Sequence, residues 1–175
     1  TMESLYLIKY GELSLKGKNR REFETRLLED ISFKLRGEAV RLRKEWGRLF
    51  LYPLEDRPIG EAARKIEDTL QRTFGIVGFA RSLVVPQDMA QIKQAAAAMA
   101  EELIPALGER FKVEARRSDK SFEHSSYEIC CILGDHLGRC YPRLQVDLQS
   151  PDWILQVEVR SRVYLYGPPL KAPGG

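Results

Sequence analysis

The chain has 175 residues, 43% of them hydrophobic and 30% charged, with a formal net charge of +3 and a sequence pI near 8.8. That length suits one ordinary domain or two small ones around a real apolar core, and the mild basic balance tilts toward polyanionic partners. The sequence carries no apolar run long enough to cross a bilayer and no basic-then-apolar export signal at its start, so no membrane partner is expected and the cytoplasm is the expected compartment.

The first element in chain order is a short strand through Leu5, Leu7 and Tyr10, followed by a polar, Gly-punctuated loop from Gly11 to Lys18. Asn19 is placed to cap a helix, with Glu22 reaching back as in a capping box, and Phe23, Leu27, Ile31 and Leu35 recur at helical spacing until Gly37. Val40 and Leu42, then Leu49 and Leu51, alternate with polar neighbours around Trp46 and Gly47, the pattern of a hairpin. Pro58 suits a first helical turn, and Ile59, Ala62, Ala63, Ile66 and Leu70 follow at helical spacing. A strand from Ile76 to Val85 closes the series. Strand, helix, strand, strand, helix, strand is the order of a ferredoxin-like half, two helices on one face of an antiparallel sheet.

Asp88 is placed to cap a third helix bearing Ile92, Ala95, Ala96, Met99 and Leu103, which stops between Pro105 and Gly108. Phe111, Val113 and Ala115 alternate with Lys112, Glu114 and Arg116, so this strand turns one face to a core and the other to solvent. Ser125 is placed to cap a fourth helix through Ile129, Ile132, Leu133 and Leu137; stretches 144–148, 153–159 and 163–166 read as strands. The predicted class is α+β, a ferredoxin-like domain over residues 2–75 followed by a second α/β domain over 76–166, with 167–175 a Gly- and Pro-rich linker. Thr1 before Met2 reads as an expression scar, and the chain reads as cut from something longer.

Catalytic constellations are not evident. The loop from Gly11 to Asn19 departs from a nucleotide-binding phosphate loop: five residues separate its glycines, and Asn19 stands where a magnesium-holding hydroxyl is needed. His124 and His136 lie outside any metal-ligand spacing. Cys140 lies four residues after His136, a spacing that puts a thiol and a base on one helical face, yet nothing nearby supplies an oxyanion site. Cys130, Cys131 and Cys140 are an odd set without CxxC spacing, expected as reduced, mostly buried packing thiols rather than a disulfide framework or a zinc site. No catalytic, cofactor-binding or metal residue is therefore assigned.

Two basic clusters carry the functional reading. Lys16, Lys18, Asn19, Arg20 and Arg21 gather at a loop and a helix start, where cations oppose the helix dipole unless a phosphate joins them; the competing reading is a solvated face paired with Glu12, Glu22 and Glu24. Lys112, Arg116, Arg117 and Lys120 form the second cluster, with Phe122 and Tyr127 close enough in sequence to stack on unpaired bases; the competing reading is a surface loop whose aromatics tuck inward. Arg143, Arg160 and Arg162 are a looser set read as exposed hairpin charges.

The stretch 8–13 (Ile8, Lys9, Tyr10, Gly11, Glu12, Leu13) and the stretch 15–24, from Leu15 and Lys16 through Asn19 to Phe23 and Glu24, resemble the N-terminal ferredoxin-like domain of bacterial tRNA 4-thiouridine synthetases, also called thiamine-biosynthesis sulfurtransferases. Residues 111–122, with Val146, Asp147, Pro151, Asp152 and Val157 to Val159, resemble their THUMP domain. The resemblance implies a tRNA-binding module, THUMP holding the single-stranded 3′ CCA end and the ferredoxin-like domain helping to seat the acceptor stem. It further implies that catalysis, with ATP and magnesium, lies in a downstream ATP-pyrophosphatase domain with an SGGxDS loop, so this segment is not itself an enzyme. A homodimer and a sulfur-donating cysteine desulfurase are the further partners implied for the full-length protein. Three alternatives stay open: the THUMP module of another RNA-modifying enzyme, a ferredoxin-like phosphate-ligand domain, or an assembly module.

Overall fold

A computed structural model of the chain describes residues 2–11, 17–45, 48–54 and 62–171. In chain order the elements are β1 (Glu3–Tyr10), α1 (Lys18–Lys34), β2 (Val40–Glu45), β3 (Arg48–Pro53), α2 (Ala63–Gln71), β4 (Ile76–Val85), α3 (Met89–Leu107), β5 (Arg110–Arg117), α4 (Ser126–Cys140), β6 (Gln145–Val146), β7 (Trp153–Val159), β8 (Val163–Tyr166) and β9 (Leu170–Lys171). The backbone divides into two compact units between Arg81 and Ser82, inside β4. β4 runs unbroken from Ile76 to Val85 through Arg81 and Ser82, so the chain changes unit without leaving a strand.

In the N-terminal unit the strand order is β2-β3-β1-β4. β2 and β3 are antiparallel, Val40 opposite Pro53 and Glu45 opposite Arg48, and β1 is antiparallel to β3 with Leu7 opposite Phe50. The hairpin falls where Val40, Leu42, Leu49 and Leu51 placed it; its Trp46 and Gly47 turn, like Pro58 and Ile59, lies outside the described residues. Leu27, Ile31 and Leu35 of the first helical segment and Ile66 and Leu70 of α2 pack with Tyr6, Ile8, Leu49, Leu51, Ile76 and Phe79, a core made by strand period two meeting helix period 3.6.

Two details of this unit differ from the sequence reading. Asn19 does not cap α1: the helix begins at Lys18, Gly17 is its N-cap with φ of 58°, and no side chain bonds the first amides. A glycine able to take that left-handed backbone moves the helix start ahead of the capping residue. The 167–175 tail is not all linker, because Leu170 and Lys171 pair antiparallel with Phe79 and Gly78 of β4.

In the C-terminal unit the order from the end of β4 is β4-β8-β7-β5-β6, antiparallel except for the parallel pairing of β5 with β7 and β6. Asp88 caps α3 as expected, accepting from the Gln91 amide at 3.2 Å, and Ser125 and Glu128 close a reciprocal capping box on α4. Ile92, Ala95, Ala96 and Met99 of α3 and Ile129, Leu133 and Leu137 of α4 bury against Phe111, Leu155, Val157 and Val163. α3 ends at Gly108, whose φ of 129° and closeness to the Asp152 carboxylate leave no room for a β-carbon. Trp153 is buried, stacks on Phe111 at 5.2 Å and donates its indole N–H to the Gly108 carbonyl at 2.9 Å.

The expected strand over 144–148 shrinks to Gln145–Val146. The Asp147 carboxylate accepts from the Gln149 and Ser150 amides at 3.0 and 2.9 Å, a side-chain turn that competes with the ladder. The cysteines are free, but they are not mostly buried: Cys130 is half-buried, while Cys131 and Cys140 are exposed. The α4 stripe that enters the core is Ile129, Leu133 and Leu137, and helical period carries the cysteines off it. Among the described residues no helix is long and apolar enough to cross a membrane.

Candidate nucleic-acid interface

The first basic cluster is built on the opening of α1. Lys18, Asn19 and Arg21 are exposed, and Arg20 is half-exposed; Lys16 lies outside the described residues. Lys18 makes only a long contact with Glu22, 4.0 Å, across an open surface, a pairing worth little in water. Arg20 behaves differently. It meets Glu24 at 3.5 Å, and the Glu24 carboxylate, only 4% exposed, also accepts from the Tyr10 hydroxyl and from Lys44 Nζ at 3.0 Å.

Burial alone would raise the Glu24 pKa, but the Tyr10 and Lys44 hydrogen bonds and the Lys44 and Arg20 charges outweigh it and hold the carboxyl below the usual glutamate range. Burial, reinforced by the adjoining carboxylate, pushes the Tyr10 phenol up to about 12. The Arg20 guanidinium, bonded to Tyr10 and attracted by Glu24, is held protonated. Glu24 therefore fixes one cation at the start of α1 and recruits Lys44 from β2. The paired-face reading of this cluster holds for Arg20 with Glu24 and loosely for Lys18 with Glu22, while the exposed Arg21 has no acidic partner among the described residues.

The second cluster sits at the end of β5 and on the loop after it. Phe111, Val113 and Ala115 turn toward the core, so Lys112, Glu114 and Arg116 share the other face. Lys112 is held by Glu114 at 3.1 Å, and Glu114, which also accepts from Gln156 at 2.9 Å, is kept ionised by those two hydrogen bonds. Arg116 is exposed, opposite Glu158 in the β5/β7 ladder.

The loop is pinned along its length. Ser118 and Asp119 donate their amides to the Val159 carbonyl at 2.9 and 3.2 Å. Asp119 accepts from the Ser121 hydroxyl and amide and from Gln87, contacts that lower its pKa, and Gln87 bridges onward to the Arg160 carbonyl at 2.6 Å. Arg117 donates to the Phe122 carbonyl at 3.2 Å from inside the turn, and its Nε is buried without an acceptor. This framework leaves Arg116 and Lys120 reaching outward from a rigid loop, with Arg117 braced behind them.

The aromatic pair separates. Phe122 is 7% exposed, in the core and edge-on to His124, so it is not a stacking platform; Tyr127, 78% exposed on the first turn of α4, remains one. Of the looser set, Arg160 and Arg162 are half-buried: Arg160 contacts Glu158 at 3.7 Å and Arg162 meets Glu3 at 3.1 Å, while Arg143 is exposed. Cys140 Sγ lies 3.5 Å from His136 Nε2, as the spacing implied.

Several contributors escaped the sequence reading. Gln87 gives no local signal, because its partner Asp119 lies 32 residues away, and Glu158 accepts from the Tyr166 hydroxyl on the neighbouring strand β8. Glu24 did give one: it lies on the helical stripe of Leu27, Ile31 and Leu35, and a carboxylate on an apolar stripe must find partners indoors.

Two domains, each with a basic cluster on its own scaffold, define an α+β protein of ferredoxin-like plus THUMP type: residues 5–80 match the ThiI ferredoxin-like domain and residues 86–166 the THUMP domain. The chain carries these two domains in that order, and it is similar to the N-terminal part of tRNA sulfurtransferases. It is 38% identical over 176 residues to a probable tRNA sulfurtransferase of Lachnoclostridium phytofermentans, covering 99% of this chain and 44% of that protein. A Thermotoga maritima relative with the same description is 33% identical and shares 89% of this chain and 38% of its own length. The chain thus spans less than half the length of the curated relatives it matches. Among solved structures it superposes on a 4-thiouridine synthetase in complex with RNA and ATP with a TM-score of 0.86 and 30% identity, over 99% of this chain and 43% of that one.

Proposed function

We propose that this chain is the tRNA-binding module of a tRNA 4-thiouridine synthetase, seating the acceptor stem and 3′ CCA end so that a downstream catalytic domain thiolates a uridine. The observation that carries it is the braced loop after β5, where Gln87, Asp119 and the Val159 carbonyl fix the backbone while Arg116 and Lys120 face solvent. A rigid loop that presents cations loses little entropy on meeting a flexible single strand, and exposed Tyr127 offers a base a flat apolar surface. Lys18, Asn19, Arg20 and Arg21, with Lys44, offer duplex phosphates a second set of contacts without reading sequence. The likeness to a synthetase whose structure holds RNA supports the same partner class.

In this reading ATP and magnesium serve the catalytic domain, and a homodimer and a cysteine desulfurase act through the full-length protein. The segment itself binds and positions; it performs no bond-breaking step. Arg116→Ala and Arg117→Ala are expected to weaken tRNA binding and to reduce discrimination between tRNA with and without its CCA end, read by fluorescence anisotropy. Unchanged affinity and unchanged discrimination would remove the loop from the interface.

A further inference from the structure

A concavity of the N-terminal unit lies away from the opening of α1, at the other end of that helix. It is a groove of about 800 Å³ between the C-terminal end of α1 and the length of α2. Its walls carry Lys34, Arg36, Arg64, Lys65 and Arg72 against one carboxylate, Asp68, a positive excess larger than the net charge of the whole chain. Lys34 is partly engaged, with Asp30 at 3.0 Å. Arg64, Lys65 and Arg72 are exposed and have no acidic partner among the described residues. Like charges gathered in one concavity repel in the free protein and focus a positive field on whatever enters it.

The rim adds an aromatic. Phe33 is 63% exposed, and the Arg36 guanidinium lies 3.9 Å from its ring centre, locked there because it also donates to the Phe33 carbonyl at 2.7 Å. A ring backed on one face by a guanidinium is a preformed base-stacking platform beside a row of phosphate-binding cations. The lysines and the single carboxylate in a row of cations suit a polyanionic strand better than a protein interface core, where lysine is depleted.

We infer that this groove is a second RNA-binding surface, taking a phosphodiester strand along Arg64, Lys65 and Arg72 with an unpaired base against Phe33. The inference rests on the tRNA-binding reading and adds to it a contact at the far end of α1 from Lys18 and Arg21. An RNA lying there would engage the ferredoxin-like domain at both ends of one helix.

The test uses the 175-residue chain with labelled tRNA over a salt series, comparing wild type, the triple variant Arg64→Gln/Lys65→Gln/Arg72→Gln, Phe33→Ala, and Arg116→Ala as a reference on the other domain. All substituted side chains are exposed, and circular dichroism checks the fold of each variant. The triple variant is expected to bind several-fold more weakly and to flatten the log–log salt dependence by about 2, because each lost phosphate contact removes about 0.7–0.9. Ultraviolet cross-linking of the wild type is expected to tag the peptide containing Phe33, and Phe33→Ala to lose the tag. Full affinity and slope in the triple variant, with no tag at Phe33 while Arg116→Ala still weakens binding, would overturn this inference alone. No tRNA binding by the wild type would overturn both readings.

Discussion

Replacing Glu24 by Gln tests how the N-terminal domain holds its cations. The amide keeps the shape and an acceptor for Tyr10, but it removes the charge that Tyr10, Lys44 and Arg20 share. A hydrogen bond to a charged group contributes roughly 1.5–3 kcal/mol and a neutral one about 1, so the Tyr10 contact loses about 1 kcal/mol. Lys44 is 44% exposed, and its ion pair is discounted for solvent to about 0.5 kcal/mol. The solvent-facing Arg20 arm adds to this without changing the scale. The total, about 1.5 kcal/mol, corresponds to a loss of about 10 °C in the melting temperature of a domain this size.

Urea unfolding followed by circular dichroism, repeated at several pH values, reads it. The folded pKa of Glu24 lies below its unfolded one, so its contribution is present above the usual glutamate value of about 4.3 and is lost as pH falls through the lower folded value. The gap between wild type and Glu24→Gln is therefore expected to close in acid. A variant as stable as wild type at pH 7, or a gap that persists undiminished at low pH, would refute the assignment of Glu24 as an ionised hub.

Other expectations concern the C-terminal domain. Gly108→Ala forces a side chain into a left-handed backbone and against the Asp152 carboxylate, and a loss of about 1–3 kcal/mol in urea unfolding is expected, whereas wild-type stability would mean that the turn yields freely. In the native protein a thiol reagent is expected to modify Cys131 and Cys140 quickly and Cys130 slowly. Burial pushes the Cys130 thiol pKa up, and its Sγ donates to the Val113 carbonyl at 3.1 Å. Three equal rates, read by mass spectrometry over time, would contradict that burial.

The order of elements was legible because each carried its own period and punctuation. Val40, Leu42, Leu49 and Leu51 alternated as a hairpin must, and Asp88 and Ser125 stood one residue ahead of their helices. What failed was set by local competition or distant partners. Gly17 displaced Asn19 as the cap, Asp147 ended β6 early with its own turn, and Leu170 and Lys171 found the edge of β4 in a stretch that reads as linker. For the interface, charge and proximity pointed to Arg116, Arg117 and Lys120 but could not sort them. Only the folded loop turns Arg117 inward to Phe122, sends Phe122 into the core and leaves Tyr127 outside.

The measurement that bears most directly on the proposed role is anisotropy of this chain with labelled tRNA, intact and stripped of its CCA end, across a salt series. Salt-sensitive binding that weakens when CCA is removed is the expected result. No binding, or equal affinity for both RNAs at every salt concentration, would contradict a module that seats the acceptor end.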